Sequence, residues 1–259
     1  MAAPPADLAL LDEAVALARA AGESTTRWFR SSELVIDAKG DGTPVTEADR
    51  NAERLVREHL ATAHPHDGVI GEEEDPKEGT SGRRWIVDPI DGTKAFTHGV
   101  PLYSTLLAVE DEHGPAVGVI ELPALGETVY AGRGLGCFCN GERVRVSDRT
   151  EIGGSYLTTS GYDYWPEDAL LAVKRSGLIM RTWGDGYGYA LVATGRAEAM
   201  VDPVVAPYDV AAMPVILAEA GGRFTDHSGV TRADGGNGLA TNGHLHDAVL
   251  ALLAVSPGR

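Results

Sequence analysis

Trp85-Ile86-Val87-Asp88-Pro89-Ile90-Asp91-Gly92-Thr93 sets two carboxylates three residues apart at the point where an apolar run stops. Pro89 between them cannot donate to a sheet ladder, and Gly92 permits a tight turn or a close backbone approach. Upstream, Ile70-Gly71-Glu72-Glu73-Glu74 ends a second short apolar run in the same way. Oxygen-rich clusters of this kind suit hard cations such as Mg2+, which keep several waters and accept phosphate oxygens. Were Glu72, Asp88 and Asp91 to converge, their mutual repulsion would be severe, and bound cations would resolve it. Singly, each reads better as a solvated turn carboxylate in so acidic a chain. The ordered composite Asp-Pro-Ile-Asp-Gly-Thr carries the signal.

These acids need elements to hold them. Leu8, Leu11, Val15, Ala18, Gly22, Thr25 and Phe29 recur at spacings of three and four, which predicts an amphipathic helix. Thr46-Glu47-Ala48-Asp49 has the form of a capping box, opening a helix through Ala52, Leu55, Val56 and Leu60 that Pro65 stops. Asp49 thus reads as a helix cap, a role compatible with catalysis. Between the two helices, Lys39 to Thr43 contains glycine and no apolar anchor, and is expected to be a mobile flap that orders over the site. Strands are expected over 103–110, 116–122, 128–131, 156–159 and 178–183. Helices are expected over 169–173, 187–194, 210–220 and 244–254. Strands and helices mix without a strict βαβ rhythm, which predicts layered sheets and helices and argues against a barrel. A soft boundary near residue 150 divides the chain into 1–150, with most of the acids above, and 151–259.

Composition narrows the function classes. Against 38 acidic residues stand 22 basic ones, and the net charge of −16 repels nucleic-acid backbones and anionic lipid. The same field means that an anionic substrate would need metal ions to offset it. Hydrophobic residues at 43% and charged residues at 23% fit an ordinary globular protein and exclude dominant disorder. Cys137 and Cys139, one residue apart, make neither a disulfide framework nor a zinc set, and read as core or turn residues. No run reaches the ~20 apolar residues of a membrane span. Asp7, Asp12 and Glu13 stand where a secretory signal would be basic and then apolar, so the cytoplasm is the expected compartment. His64, His66, His244 and His246 lack the framing of a metal site and are expected on surface turns or helix ends.

Taken together, the motifs resemble the inositol-monophosphatase-like family of Mg2+-dependent phosphomonoesterases. Val45-Thr46-Glu47-Ala48-Asp49, Gly71-Glu72-Glu73, Asp88-Pro89-Ile90-Asp91-Gly92-Thr93 and Pro207-Tyr208-Asp209-Val210-Ala211-Ala212 match family motifs in family order. Tyr208 departs from the tryptophan usual there. The resemblance implies an α/β fold, a layered α/β/α/β/α sandwich, and a homodimer. It also implies two or three Mg2+ ions. Glu72, Asp88 and the Ile90 carbonyl would hold the first, Asp88, Asp91 and Asp209 the second, and Glu72 would share a weaker third. Thr93 and Asp49 would position and deprotonate the attacking water. Gly92 and Thr93 are expected to open a helix whose free N–H groups bind phosphate oxygens.

Arg181-Thr182-Trp183-Gly184-Asp185-Gly186-Tyr187-Gly188-Tyr189 bears on the substrate. True inositol monophosphatases usually carry a small, neutral Gly-Thr-Ala-Ala there, suited to a ring of hydroxyls. Asp185 brings a carboxylate instead, which suits a cationic group. The resemblance is therefore closer to the histidinol-phosphate phosphatase branch, whose substrate carries an ammonium and an imidazole beside its phosphate. Gly184, Asp185 and Asp202 are the candidates for contacting it, although Asp202 before Pro203 also reads as a strand-end turn. The implied activity is hydrolysis of L-histidinol phosphate. An inositol-phosphate or sugar-phosphate phosphatase is the alternative, and a catalytically idle metal- or phosphate-binding protein is the reading from another class. Retention of Asp49, Glu72, Asp88, Asp91, Thr93 and Asp209 together argues against idleness.

Overall fold

The computed structural model describes residues 3–38 and 44–254, so the expected flap over 39–43 lies outside the described residues. Helix α1 (Leu8–Thr26) opens on Asp7, whose side chain accepts the Ala9 N–H at 2.9 Å. Strands β1 (Ile36–Ala38) and β2 (Pro44–Thr46) pair antiparallel and lead directly into α2 (Glu47–Ala63). The predicted capping box is closed: Thr46 accepts from the first turn of α2, and Asp49 accepts from the Thr46 backbone.

A seven-stranded sheet follows in chain order. It comprises β3 (Gly68–Gly71), β4 (Arg84–Asp91), β5 (Ser104–Asp111), β6 (Gly114–Leu122), β7 (Glu127–Gly132), β8 (Gly136–Cys139) and β9 (Glu142–Arg143), with the short α3 (Thr93–Thr97) after β4. β3 and β4 run parallel and the remaining neighbours antiparallel. Trp85, Val87, Leu107, Val109, Val117 and Val119 face α1 and α2, while Ile86, Leu106, Ala108 and Ile120 face the opposite way. Both faces are covered, which is why these strands read as unbroken apolar runs.

The second sheet uses β10 (Tyr156–Thr158), and then, after α4 (Glu167–Ser176), β11 (Ile179–Arg181). Helix α5 (Asp185–Ala193), β12 (Ala199–Asp202), α6 (Pro207–Val210), α7 (Met213–Ala220), β13 (Arg223–Thr225), β14 (Gly238–Thr241) and α8 (His246–Leu253) complete the chain. Its strand order is β11-β10-β12-β14-β13, with β10 parallel to both neighbours and β14 antiparallel to both. Helices α5 and α7 lie between the sheets, where Tyr189, Val192, Met213 and Ile216 share one core with Leu106, Met200 and Phe224. A helix apolar on all sides, as α5 is, belongs in such a layer. Ala169 and Val173 of α4 and Val249 of α8 cover the outer face of the second sheet over Leu157, Val201 and Leu239. The fold is thus an α/β/α/β/α sandwich. No helix among the described residues is long and apolar enough to cross a membrane.

Three local expectations change. The helix expected over 210–220 is interrupted between Val210 and Met213, and Pro214, which has no N–H to give, sits in the first turn of α7. Strands β8, β9, β13 and β14 carry no clear sequence signal and are held by their neighbours. His246, expected at the surface, is fully buried, with Nε2 and Nδ1 each 3.0 Å from a threonine hydroxyl, those of Thr225 and Thr241.

Candidate active site

The strand carrying Asp88 and Asp91 does not stop where the apolar run does. β4 continues to Asp91, its register against β5 shifting between Asp88 and Asp91 before Asp91 pairs with Ser104. Pro89 rides that irregular stretch, its carbonyl accepting the Thr105 hydroxyl at 2.8 Å. An irregularity of this type re-aims side chains at a sheet end. Asp209 arrives from the other sheet's side, in the first turn of α6, where Oδ2 accepts the Ala206 N–H at 2.7 Å. One oxygen from each of Asp88, Asp91 and Asp209 lies within 4.8 Å of the others.

This crowding is visible in the proton affinities. Burial, then repulsion from Glu72, Asp91 and Asp209, pushes Asp88 well above the usual carboxylate range. Burial, with Asp185 and Asp209, does the same to Asp91, although the Ser104 hydroxyl at 2.7 Å and the Gly186 N–H both donate to its Oδ2. Burial first, then Glu72, raises Asp209 to about 6. Glu72 lies outside the three-oxygen group itself, although its charge bears on Asp88, Asp209 and Asp49.

Asp49 is fully buried at the start of α2. Its Oδ2 accepts both the Thr46 N–H at 2.8 Å and the Thr46 hydroxyl at 2.6 Å, whereas buried Oδ1 has no hydrogen-bond partner. Burial raises its proton affinity too. The Thr93 hydroxyl donates to the Ile90 carbonyl at 3.0 Å, and the Ile90 N–H donates to Asp88 Oδ1 at 3.1 Å. Gly92 caps α3 at φ +80, a conformation that favours glycine. An all-oxygen donor set that is largely buried and mutually repulsive fits a hard divalent cation.

The substrate candidates fall into two groups. Asp185, at φ +53, places its carboxylate against Gly92, beside Asp91. Gly184 caps α5 and passes so close to Ser160 that a side chain there would collide with the Ser160 backbone. Asp202 is different: it is only 5% exposed, and both its oxygens are engaged. Oδ1 accepts the Ser160 hydroxyl at 2.7 Å and N–H at 3.2 Å, and Oδ2 accepts the Tyr189 hydroxyl at 3.1 Å. The Ser160 oxygen in turn accepts the Asp185 N–H at 2.9 Å. Asp202 thus holds the Asp185 backbone through Ser160 from the core.

Sequence reasoning passed over Ser104, Ser160 and Glu53. The serines carry no distinguishing pattern. Glu53 does carry one, because it follows Asp49 by four residues and so shares its helix face.

The sequence pattern of the Inositol monophosphatase family matches residues 7–256. Over 238 residues the chain is 45% identical to histidinol-phosphatase of Chlorobaculum parvum, covering 89% of this chain and 91% of that one. It is 41% identical over 249 residues to histidinol-phosphatase of Mycobacterium tuberculosis, covering 93% and 96%. Among solved structures it is similar to extragenic suppressor protein suhB of Bartonella henselae, with TM-score 0.88, 31% identity, and coverage of 96% of this chain and 100% of that one.

Proposed function

The chain belongs to the inositol monophosphatase family, and from that premise we propose that it is a Mg2+-dependent phosphomonoesterase acting on L-histidinol phosphate. The observation that carries the substrate choice is the Asp185 carboxylate lying against Gly92 at the edge of the Asp88–Asp91–Asp209 cluster. A substrate whose ammonium lies near its phosphate would meet an acid there and a metal centre beside it. The two histidinol-phosphatase relatives support the same choice.

Glu72, Asp88, Asp91, Asp209 and the Ile90 carbonyl are the residues assigned to hold two or three Mg2+ ions. The chemistry Mg2+ supplies when bound is charge neutralisation, acidification of water and stabilisation of the departing oxygen. Asp49 accepts the proton of the attacking water, because its Oδ2 is committed to Thr46 while Oδ1 is free to accept. Its raised proton affinity makes it a better base than an exposed carboxylate. Thr93 spends its one donor on the Ile90 carbonyl and so presents only acceptor lone pairs to that water. The N–H groups after Gly92 receive phosphate oxygens, and Asp185 pairs with the substrate's cationic group, with Gly184 admitting the close approach of the loop. A homodimer belongs to the same reading, and sedimentation tests it.

A phosphate-release panel with and without Mg2+ decides the matter. Histidinol phosphate should be turned over well, and inositol phosphate and fructose bisphosphate poorly. Preference for inositol phosphate would replace the substrate, and no Mg2+-dependent release from any ester would favour the idle-protein reading.

A further inference from the structure

We infer that Glu53 is a positioning residue for the metal centre, fixing the backbone from which Glu72 reaches the acid cluster. The inference rests on the assignment of Glu72 as a Mg2+ ligand. β3 ends at Gly71, so the sheet ladder does not hold the segment that carries Glu72. Glu53 takes over that task. Its side chain is fully buried on α2, and a buried carboxylate is tolerated only when paired and hydrogen-bonded. The partners are specific: Oε2 accepts the Glu73 N–H at 2.8 Å, and Oε1 accepts the Glu74 N–H at 3.1 Å and Arg57 Nε at 2.8 Å. Arg57 closes the ring by donating from Nη2 to the Glu74 carbonyl at 2.9 Å.

Gly71 bounds the arrangement on the other side, since a β-carbon there would collide with both oxygens of Glu53. Glu72 is therefore bracketed by three residues whose backbones rest on one carboxylate. Asp49 lies one turn earlier on the same helix, so α2 sets the proposed base directly and the proposed ligand through Glu53. A glutamine would not substitute, because its amide NH2 would face N–H donors where the carboxylate offers acceptors.

The test is calorimetric titration of Mg2+ into the metal-free full chain, with thermal denaturation of each variant in chelator. Outer-shell partners of metal ligands typically contribute ten- to a hundredfold to affinity, so Glu53→Gln should weaken Mg2+ binding by roughly that factor. Combined with Glu72→Gln, it should add nothing further, because it acts through Glu72. A lower melting temperature with unchanged Mg2+ affinity, or additive losses in the double variant, would overturn the inference. Should Glu53→Gln fail to fold, Arg57→Lys decides, since it keeps the carboxylate and its bonds to the Glu73 and Glu74 N–H groups while removing the guanidinium contacts to Glu53 and to the Glu74 carbonyl. Weaker Mg2+ binding, by a smaller factor than for Glu53→Gln, is then expected, and unchanged binding overturns the inference. Absence of Mg2+ binding by the unmodified chain would overturn the metal assignment itself, which separates the two failures.

Discussion

The carboxylate of Asp185 lies over the α-carbon of Gly92, so that a methyl group built on Gly92 would stand 2.9 Å from Oδ2. Glycine is favoured there by φ +80, and a larger residue would also have to displace the Asp185 carboxylate. Asp185 thereby adds a carboxylate to the rim of an already crowded acid cluster, tempered by the neighbouring Lys94.

Asp185→Ala should accordingly separate substrates. A charge-assisted contact contributes ~1.5–3 kcal/mol, so kcat/KM for histidinol phosphate should fall roughly ten- to a hundredfold. Hydrolysis of p-nitrophenyl phosphate, which has no ammonium or imidazole, should change little. Equal losses on both substrates would mean that Asp185 supports its loop and does not read the ligand.

Asp202 acts one step further back. Asp202→Ala and Ser160→Ala should each lower kcat/KM for histidinol phosphate by about tenfold, and the double variant should lose no more than either alone. Direct contact between Asp202 and the substrate would instead leave Ser160→Ala near wild type.

Asp88→Asn removes a carboxylate from a group of three closely spaced acids. Turnover should disappear at any Mg2+ concentration, while the melting temperature of the metal-free protein should hold or rise. Near-normal activity at saturating Mg2+ would dismiss the assignment of Asp88 as a ligand.

His246 provides a pH prediction remote from the acids. Burial, aided by Arg223, pushes it down to about 4. An unfolded histidine protonates near 6.5, so between those values the unfolded chain binds a proton that the folded chain refuses. Its contribution is present above about pH 6.5 and lost as pH falls towards 4. The difference in urea midpoint between wild type and His246→Gln should therefore be larger at pH 7 than at pH 4.5. A constant difference would show that the imidazole is not held neutral.

The sequence made the acids legible because their chemistry lies in residue type and short-range order, as in Asp88 to Thr93. It made the layers legible wherever apolar residues alternate over buried strands, as in 103–110 and 116–122. Contacts that depend on distant backbone were not legible. Nothing local says that Glu53 meets the N–H groups beyond Gly71, or that Ser160 at the end of β10 meets Asp202 at the end of β12. The ladder passing Pro89 was hidden as well, because proline is read locally as a stop while its carbonyl still accepts from Thr105.

Asp88 and Asp91 lie at the end of β4 in one sheet, and Asp209 enters from an element made only after that sheet is complete. On the ribosome the first acids emerge long before their partner, and N-terminal parts of a chain fold first. On the proposed metal assignment, a nascent chain would carry an unfinished cation site until α6 docks. Cations held by all three acids would favour the state in which the acids are together, and so would add a late bias towards the closed molecule by mass action. The same ions that serve the reaction would act as an inspection of assembly, withholding their stabilisation from any product truncated before α6.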